Sequence, residues 1–299
     1  MYREQEIKFE MMEKINFFSE KSKIAANLYK PENFDQEKKY PTILICHGFA
    51  GIKELLVDSY AKAFAENGFV SLTFDYRGFG ESEGETYIDP LNQIQDIYNA
   101  TEYLRHQNFV DSENIALWGS SLGGANAIVA SALDSVYKAV CVQLTFGDGE
   151  RVVCNGDQEA VASTLGMIRK LWGREVLNNK CMMVPLNKML HDEQSLAFLS
   201  ENSEAYPALL SKIPFSTLKN TFRLKAEKFV PLIEAPILIV GAGNDEVNPV
   251  EESKSLYEKA VEPKELFIAE EASHYDAYKG DHFSQIIEKQ LAFFKKYMM

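Results

Sequence analysis

The sequence has few cysteines and no excess of positive charge. Its 299 residues carry 31 Lys and Arg against 44 Asp and Glu, giving a formal net charge of −13 and a pI of about 5.0. Binding of DNA or RNA requires a basic face that displaces counterions, so we expect no nucleic-acid partner. The cysteines (Cys46, Cys141, Cys154 and Cys181) form no close pair, which argues against a disulfide framework or a zinc site and predicts reduced thiols in the cytoplasm.

Long hydrophobic runs are also missing. No stretch approaches 18 uncharged apolar residues, and residues 1–10 hold five charged side chains and lack the apolar stretch of a signal peptide. We therefore expect no membrane partner and a cytoplasmic location. The chain is nevertheless 46% hydrophobic and 12% aromatic, enough for a large core without metals or disulfides. Its length fits one large domain, or one domain with a sizeable insertion.

Short apolar runs alternate with helical patterns along most of the chain. The predicted strands are 42–46, 69–74, 115–119, 139–144, 237–240 and 265–269. The predicted helices are 55–67, 91–107, 122–133, 249–260 and 283–297. Before Pro41, Ile7 and Phe9, and then Ile24, Ala26 and Leu28, alternate as in antiparallel strands at a sheet edge. This order predicts an α/β fold with a mostly parallel sheet.

The alternation stops between residues 147 and 230. This segment holds 11 Lys and Arg against 10 Asp and Glu, whereas the rest of the chain holds 20 against 34. It contains helix-like stretches at 160–177 and 191–200, and four of the nine methionines. A change of charge together with flexible apolar side chains is typical of a separately packed unit. We predict a core formed by 1–146 and 231–299 and a helical cap insertion at 147–230.

The motif G-x-S-x-G places Ser121 between a predicted strand and a predicted helix. A tight turn at this position brings backbone segments close together, so Gly119 and Gly123 must lack side chains. The turn leaves the Ser121 hydroxyl at the carboxyl end of the sheet, beside the N-terminus of the following helix. Ser120 stands off-centre between the glycines. Ser121 is therefore the predicted nucleophile of a hydrolytic reaction.

A serine nucleophile needs a base, and the base needs an acid that fixes its tautomer. His274 follows the last predicted strand, so it lies at the same end of the sheet as Ser121. The other histidines are His47, His106, His191 and His282. Asp245 follows the strand at 237–240, with Glu246 as its adjacent rival. The order Ser121, Asp245, His274 is that of one known lineage of catalytic triads.

The segment after the first buried strand predicts an oxyanion hole. Acyl transfer develops negative charge on an oxygen, and two backbone N–H groups must already point at it. We assign these N–H groups to Leu122, the residue after the nucleophile, and to Phe49, beside the flexible Gly48. His47 is expected to bond the loop backbone.

The motifs together resemble those of the α/β-hydrolase superfamily. The residues that carry the resemblance are His47-Gly48-Phe49, 75–82 (DYRGFGES), 119–124 (GSSLGG), Asp245 and Ser273-His274. Within the superfamily the chain is most similar to the dienelactone-hydrolase-like, serine-aminopeptidase-like and cinnamoyl-esterase-like branches. The resemblance implies an eight-stranded, mostly parallel sheet, a lid inserted after the sixth strand, and no cofactor or metal. The insertion matches no single branch, and Ser121 stands where dienelactone hydrolase itself carries cysteine.

The leading hypothesis is a serine hydrolase that cleaves an ester-type bond of a small, partly apolar acyl or aryl substrate. A peptidase, amidase, thioesterase or carbon–carbon hydrolase could use the same three residues. A non-catalytic binding protein on this fold is a third hypothesis. The sequence is compatible with a homo-oligomer, and it does not identify the natural substrate.

Overall fold

The computed structural model describes residues 12–299 and builds most of them around one large sheet. The predicted strand residues Ile7 and Phe9 lie outside this range. The strands are β1 (Met12–Ser19), β2 (Ser22–Tyr29), β3 (Tyr40–Cys46), β4 (Val70–Phe74), β5 (Val110–Ser120), β6 (Tyr137–Gln143), β7 (Met183–Pro185), β8 (Lys212–Pro214), β9 (Ile237–Ala242) and β10 (Lys264–Ala269).

Helices follow most of these strands. They are α1 (Val57–Glu66), α2 (Pro90–Arg105), α3 (Leu122–Leu133), α4 (Gly149–Val153), α5 (Gln158–Asn178), α6 (Glu193–Asn202), α7 (Thr217–Arg223), α8 (Val250–Lys259) and α9 (Gly280–Met298). Short 3₁₀ turns lie at Leu186–Lys188, Pro207–Leu210, Ala226–Lys228, Val230–Leu232 and Asp276–Tyr278. No helix between residues 12 and 299 combines the length and the hydropathy that crossing a bilayer requires.

The main sheet has eight strands in the order β1-β2-β4-β3-β5-β6-β9-β10. The strands from β4 to β10 in this order pair in parallel, whereas β2 is antiparallel to both β1 and β4. The predicted fold class, a mostly parallel α/β-hydrolase sheet, is confirmed.

The central strands are apolar on both sides because helices cover both faces of the sheet. In β3, Leu44 packs into one core cluster, and its neighbours Ile43 and Ile45 pack into the other. Helices α2, α3 and α8 contribute to the first cluster, and α1 and α9 to the second. Side chains alternate between the faces of a strand, so a doubly covered strand must be apolar at every position. This requirement explains why an uninterrupted apolar run such as 42–46 (TILIC) predicted a strand correctly.

The segment 147–230 leaves the sheet after β6 and returns at β9. It contains α4 to α7 and a small two-stranded antiparallel sheet formed by β7 and β8, which the sequence analysis did not predict. Ionic contacts join the first residues of the segment to helix α8. Arg151 donates to Glu252 at 2.5 and 2.7 Å, and Glu252 also accepts from the backbone N–H of Gly147 at 2.8 Å. Lys225, near the end of the segment, donates to Asp148, near its start, at 2.5 Å.

Candidate active site

Ser121 occupies a strained turn between β5 and α3. Its backbone has φ 54° and ψ −126°, a region that non-glycine residues rarely adopt. A methyl group at Gly119 would lie 2.4 Å from the carbonyl oxygen of Gly123, and one at Gly123 would lie 2.3 Å from that of Cys46. The glycines of the motif therefore make room for the backbone of two neighbouring segments. They let the turn place Ser121 at the N-terminus of α3.

The structure brings Asp245 and His274 together at the carboxyl edge of the sheet. His274 Nδ1 and Asp245 Oδ2 are 2.8 Å apart, and both side chains are buried. The other carboxylate oxygen, Asp245 Oδ1, accepts from the backbone N–H groups of Val247 and Asn248, each at 2.8 Å. The carboxylate is thus fixed from both sides and fixes the imidazole in turn. The rival acid, Glu246, is exposed.

The Ser121 hydroxyl accepts a hydrogen bond from a residue that the sequence analysis did not find. Asn248 Nδ2 donates to Ser121 Oγ at 3.2 Å and to the carbonyl of Leu144 at 2.6 Å. Within residues 12–299 no hydrogen bond joins Ser121 Oγ to His274 in this state. Both residues nevertheless line the same cavity.

Two backbone N–H groups are available beside Ser121. Neither Phe49 N–H nor Leu122 N–H donates a hydrogen bond within the part of the chain that the structure describes. Gly48 allows the first loop to approach, because a methyl group there would lie 3.1 Å from Ser121 Cβ. The two positions assigned to the oxyanion hole therefore flank the serine with unused donors.

His47 begins this loop and lines the same cavity as Ser121. His47 Nδ1 is 3.0 Å from the carbonyl oxygen of Gly48, and its ring packs edge-on against Tyr76. Burial lowers the pKa of His47 below its ordinary value of 6.5. A neutral, buried ring suits support of the loop.

A buried ion pair joins the Phe49 loop to the loop after β4. Asp75 accepts from the Lys53 backbone N–H at 2.7 Å and from Lys53 Nζ at 2.9 Å, and it also accepts from the backbone N–H of Glu81 at 2.9 Å. Burial opposes the charge on Lys53, but hydrogen bonds to its three carboxylate partners outweigh burial and raise its pKa. The charged contacts thus hold the loop that carries Phe49.

The remaining polar side chains near the turn have other partners. Ser120 Oγ and the hydroxyl of Tyr278 form a hydrogen bond, and burial raises the pKa of Tyr278 to about 12. Ser120 does not line the cavity.

His106 and His191 are exposed, and His282 is half-buried within α9. Among residues 12–299, no group of three or more His, Cys, Asp or Glu side chains has an arrangement that could hold a metal ion.

The cavity that contains Ser121 and His274 has a volume of about 80 Å³ and mostly apolar walls. The apolar walls are formed by Phe49, Leu55, Leu56, Val57 and Val247 from outside the segment 147–230, and by Leu186, Leu190, Phe198, Leu199 and Leu209 from within it. Within the described chain, the residues that line it include no Asp or Glu. An apolar chamber with a few polar groups at one end is the usual form of a small-molecule site.

The profile of the serine aminopeptidase S33 family matches residues 37–275. The chain belongs to this family of α/β-hydrolases. An uncharacterized 31.7 kDa protein of Escherichia coli, from the traX-finO intergenic region, is 38% identical over 263 residues, covering 87% of this chain and 92% of that one. A thiohydrolase of Aspergillus aculeatus, aneE, is 27% identical over 272 residues and 86% of each chain.

Solved structures agree with the fold. The α/β-hydrolase GrgF of a Penicillium species superposes with a TM-score of 0.80 at 24% identity, covering 96% of this chain and 99% of that one. This likeness supports the fold alone. Family membership and the hydrolase names among the relatives establish the chain as a hydrolase, and its family acts on small molecules.

Proposed function

We propose that this hydrolase cleaves an ester-type bond of a small, partly apolar acyl or aryl substrate through Ser121, His274 and Asp245. The observation that carries the proposal is the cavity that Ser121 shares with His274. It holds a serine in a strained turn and a histidine already bonded to a buried aspartate, and acidic side chains are missing from its described walls.

In the proposed mechanism, Ser121 Oγ turns from Asn248 toward His274 Nε2 and attacks the substrate carbonyl carbon. His274 takes the hydroxyl proton, and Asp245 keeps the imidazole in the required tautomer. The N–H groups of Phe49 and Leu122 stabilise the oxyanion. His274 then gives the proton to the leaving group, and water, activated by the same base, releases the acid from Ser121.

The composition of the cavity favours this substrate class over an aminopeptidase substrate. Binding of a free amino terminus calls for a carboxylate near the scissile bond, since a buried ammonium must be paired. No lining residue in the described part of the chain supplies one, despite the name of the family. A family name describes ancestry and fold, whereas the walls of the site select the substrate.

Residues 147–230 act as a cap in this proposal, and we use that name for them below. Six of their side chains, five of them apolar, line the cavity, so the cap selects the acyl group. The four cysteines are free thiols, which supports the cytoplasmic location predicted from the sequence.

A thioester is the second candidate substrate. The observation in its favour is the relative named as a thiohydrolase, which matches 86% of this chain. The same attack, oxyanion contacts and acyl-enzyme serve both bonds, so the choice depends on the leaving group.

The test is labelling with a fluorophosphonate, mapped by peptide mass, beside turnover of p-nitrophenyl esters of rising chain length. We expect the label on Ser121 and a maximum of kcat/KM at one chain length. S121A should lose the label and about 10⁴-fold or more of kcat. S120A, at the adjacent serine, should keep the label on residue 121. Full turnover by S121A would refute the mechanism, and faster turnover of a matched thioester would favour the second candidate.

A further inference from the structure

One amide of the cap joins the two loops that carry Asp245 and His274. Gln194 Oε1 accepts from the backbone N–H of His274 at 3.1 Å and from that of Glu246 at 3.3 Å. Gln194 Nε2 donates to the carbonyl of Asn244 at 2.7 Å. A primary amide offers an acceptor and two donors, so glutamine can make all three contacts at once.

The helix that carries Gln194 is itself fixed against the histidine loop. Asp192 caps α6 by accepting from the backbone N–H of Ser195 at 2.6 Å. Ser195 Oγ lies 3.1 Å from the hydroxyl of Tyr275, the residue after His274. The ring of Phe198 stacks on Tyr275, with centroids 4.3 Å apart and planes 7° from parallel. The packing of α6 against Tyr275 thus fixes the position of the Gln194 amide.

Outside the cap, the described chain joins the same two loops through the His274–Asp245 side-chain pair and through contacts of Asn244. Asn244 donates from its backbone N–H to Ala272 at 2.9 Å and from its side chain to the carbonyl of Glu271 at 3.2 Å. Both acceptors precede His274 in the chain. Gln194 is the sole partner of His274 N–H within residues 12–299. The cap therefore supplies the contact to the backbone of the histidine, whereas Asp245 contacts its ring.

We propose that Gln194 is a positioning residue that aligns His274 and Asp245 for the reaction. Its amide fixes the separation of the two loops, and hence the direction of His274 Nε2 toward Ser121. This inference rests on the function proposed above. A displacement of about 1 Å of a catalytic group can cost about 100-fold in rate, so a contact to the backbone of the base has a large effect.

The test compares Q194M with Q158M. Methionine matches glutamine in length but makes none of the three hydrogen bonds, and Gln158 is exposed at the start of another cap helix. With a short p-nitrophenyl ester, Q194M should lower kcat by about 10- to 100-fold and leave KM within about twofold. Q158M should stay within about twofold of wild type in both constants.

A small fluorophosphonate separates alignment from cap binding. This probe reacts at Ser121 and makes few contacts with the apolar walls of the cavity. Its labelling rate therefore reports the reactivity of the serine and its base. Q194M should slow labelling by the same factor as kcat. Unchanged labelling, or a rise in KM alone, would overturn the inference, because Gln194 would then only hold the cap on the substrate.

Two controls keep the outcome decisive. Circular dichroism and thermal unfolding confirm that Q194M is folded, and Q194A, which removes the same contacts, replaces it if it is not. The wild type tests the proposed function separately. If wild type is neither labelled nor active, the proposed function fails; if wild type and Q194M react equally fast, only the role of Gln194 fails.

Discussion

The turn at Ser121 and helix α5 both contain glycines, but they use them for opposite reasons. A methyl group at Gly123 would lie 2.3 Å from one backbone carbonyl and 2.4 Å from the next. A methyl group at Gly166 or Gly173, within α5, would meet no atom within 4 Å. The turn requires glycine for space, whereas α5 loses up to about 1 kcal/mol per glycine in helix propensity without gaining a contact.

The turn at Ser121 and helix α5 also differ in burial. The strand that leads into the turn is fully buried from Ala116 to Ser120. Helix α5 has 21 residues, of which only Val161 and Ile168 are buried, and Trp172 and Val176 are 45% and 72% exposed. Precise packing is therefore concentrated where the reaction is proposed to occur. The outer part of the cap has few contacts to lose, so its local opening costs less free energy.

The largest expected effect is that of G123A, which fills the space that the turn requires. The added methyl collides with backbone and not with a flexible side chain, so the β3 loop or the turn must move. We expect a loss of about 3 kcal/mol or more in the free energy of unfolding and at least about 100-fold in kcat/KM. Urea denaturation and ester turnover measure the two effects. G166A is the matched control, and equal stability of the two variants would contradict the packing argument.

The sequence predicted the sheet because central strands bury both faces. Runs such as 42–46 and 237–240 are apolar without interruption, and the helix at 122–133 has the bounds of α3. The two-stranded sheet of β7 and β8 was missed because three-residue strands are too short to show a period. Strand β5 begins at Val110, five residues earlier than predicted, where a polar, irregular stretch hides it.

The candidate site could be proposed from the sequence where chemistry imposes a local pattern. The glycines around Ser121 are such a pattern, since a tight turn requires them at fixed spacing. Gln194 and Asn248 show none, because each bonds backbone groups on segments distant in the chain. An amide beside a loop carbonyl has no sequence signature, so only the folded structure could identify these two residues.

A smaller effect concerns His47, below the turn. Its buried ring has a lowered pKa, so below pH 6.5 the unfolded chain binds a proton that the folded chain does not. Stability must then fall as the pH falls through 6.5, by up to about 1.4 kcal/mol per pH unit for one proton. H47N keeps an N–H for the Gly48 carbonyl but does not titrate. We expect urea midpoints of wild type to fall more steeply than those of H47N between pH 7 and 5.5. Parallel curves would show that His47 is not held neutral.

The smallest effect is expected in α5. G166A and G173A should each stabilise the helix by about 0.5–1 kcal/mol, since alanine reduces the conformational freedom of the unfolded chain and meets no neighbour. The gain should appear as slower amide hydrogen exchange within 158–178, with exchange in β3 and β5 unchanged. Turnover of a short ester should stay the same, because α5 contributes no residue to the cavity. A slower turnover in the stabilised variants would mean that α5 bends during the reaction, and its glycines would then serve catalysis, as those of the turn are proposed to do.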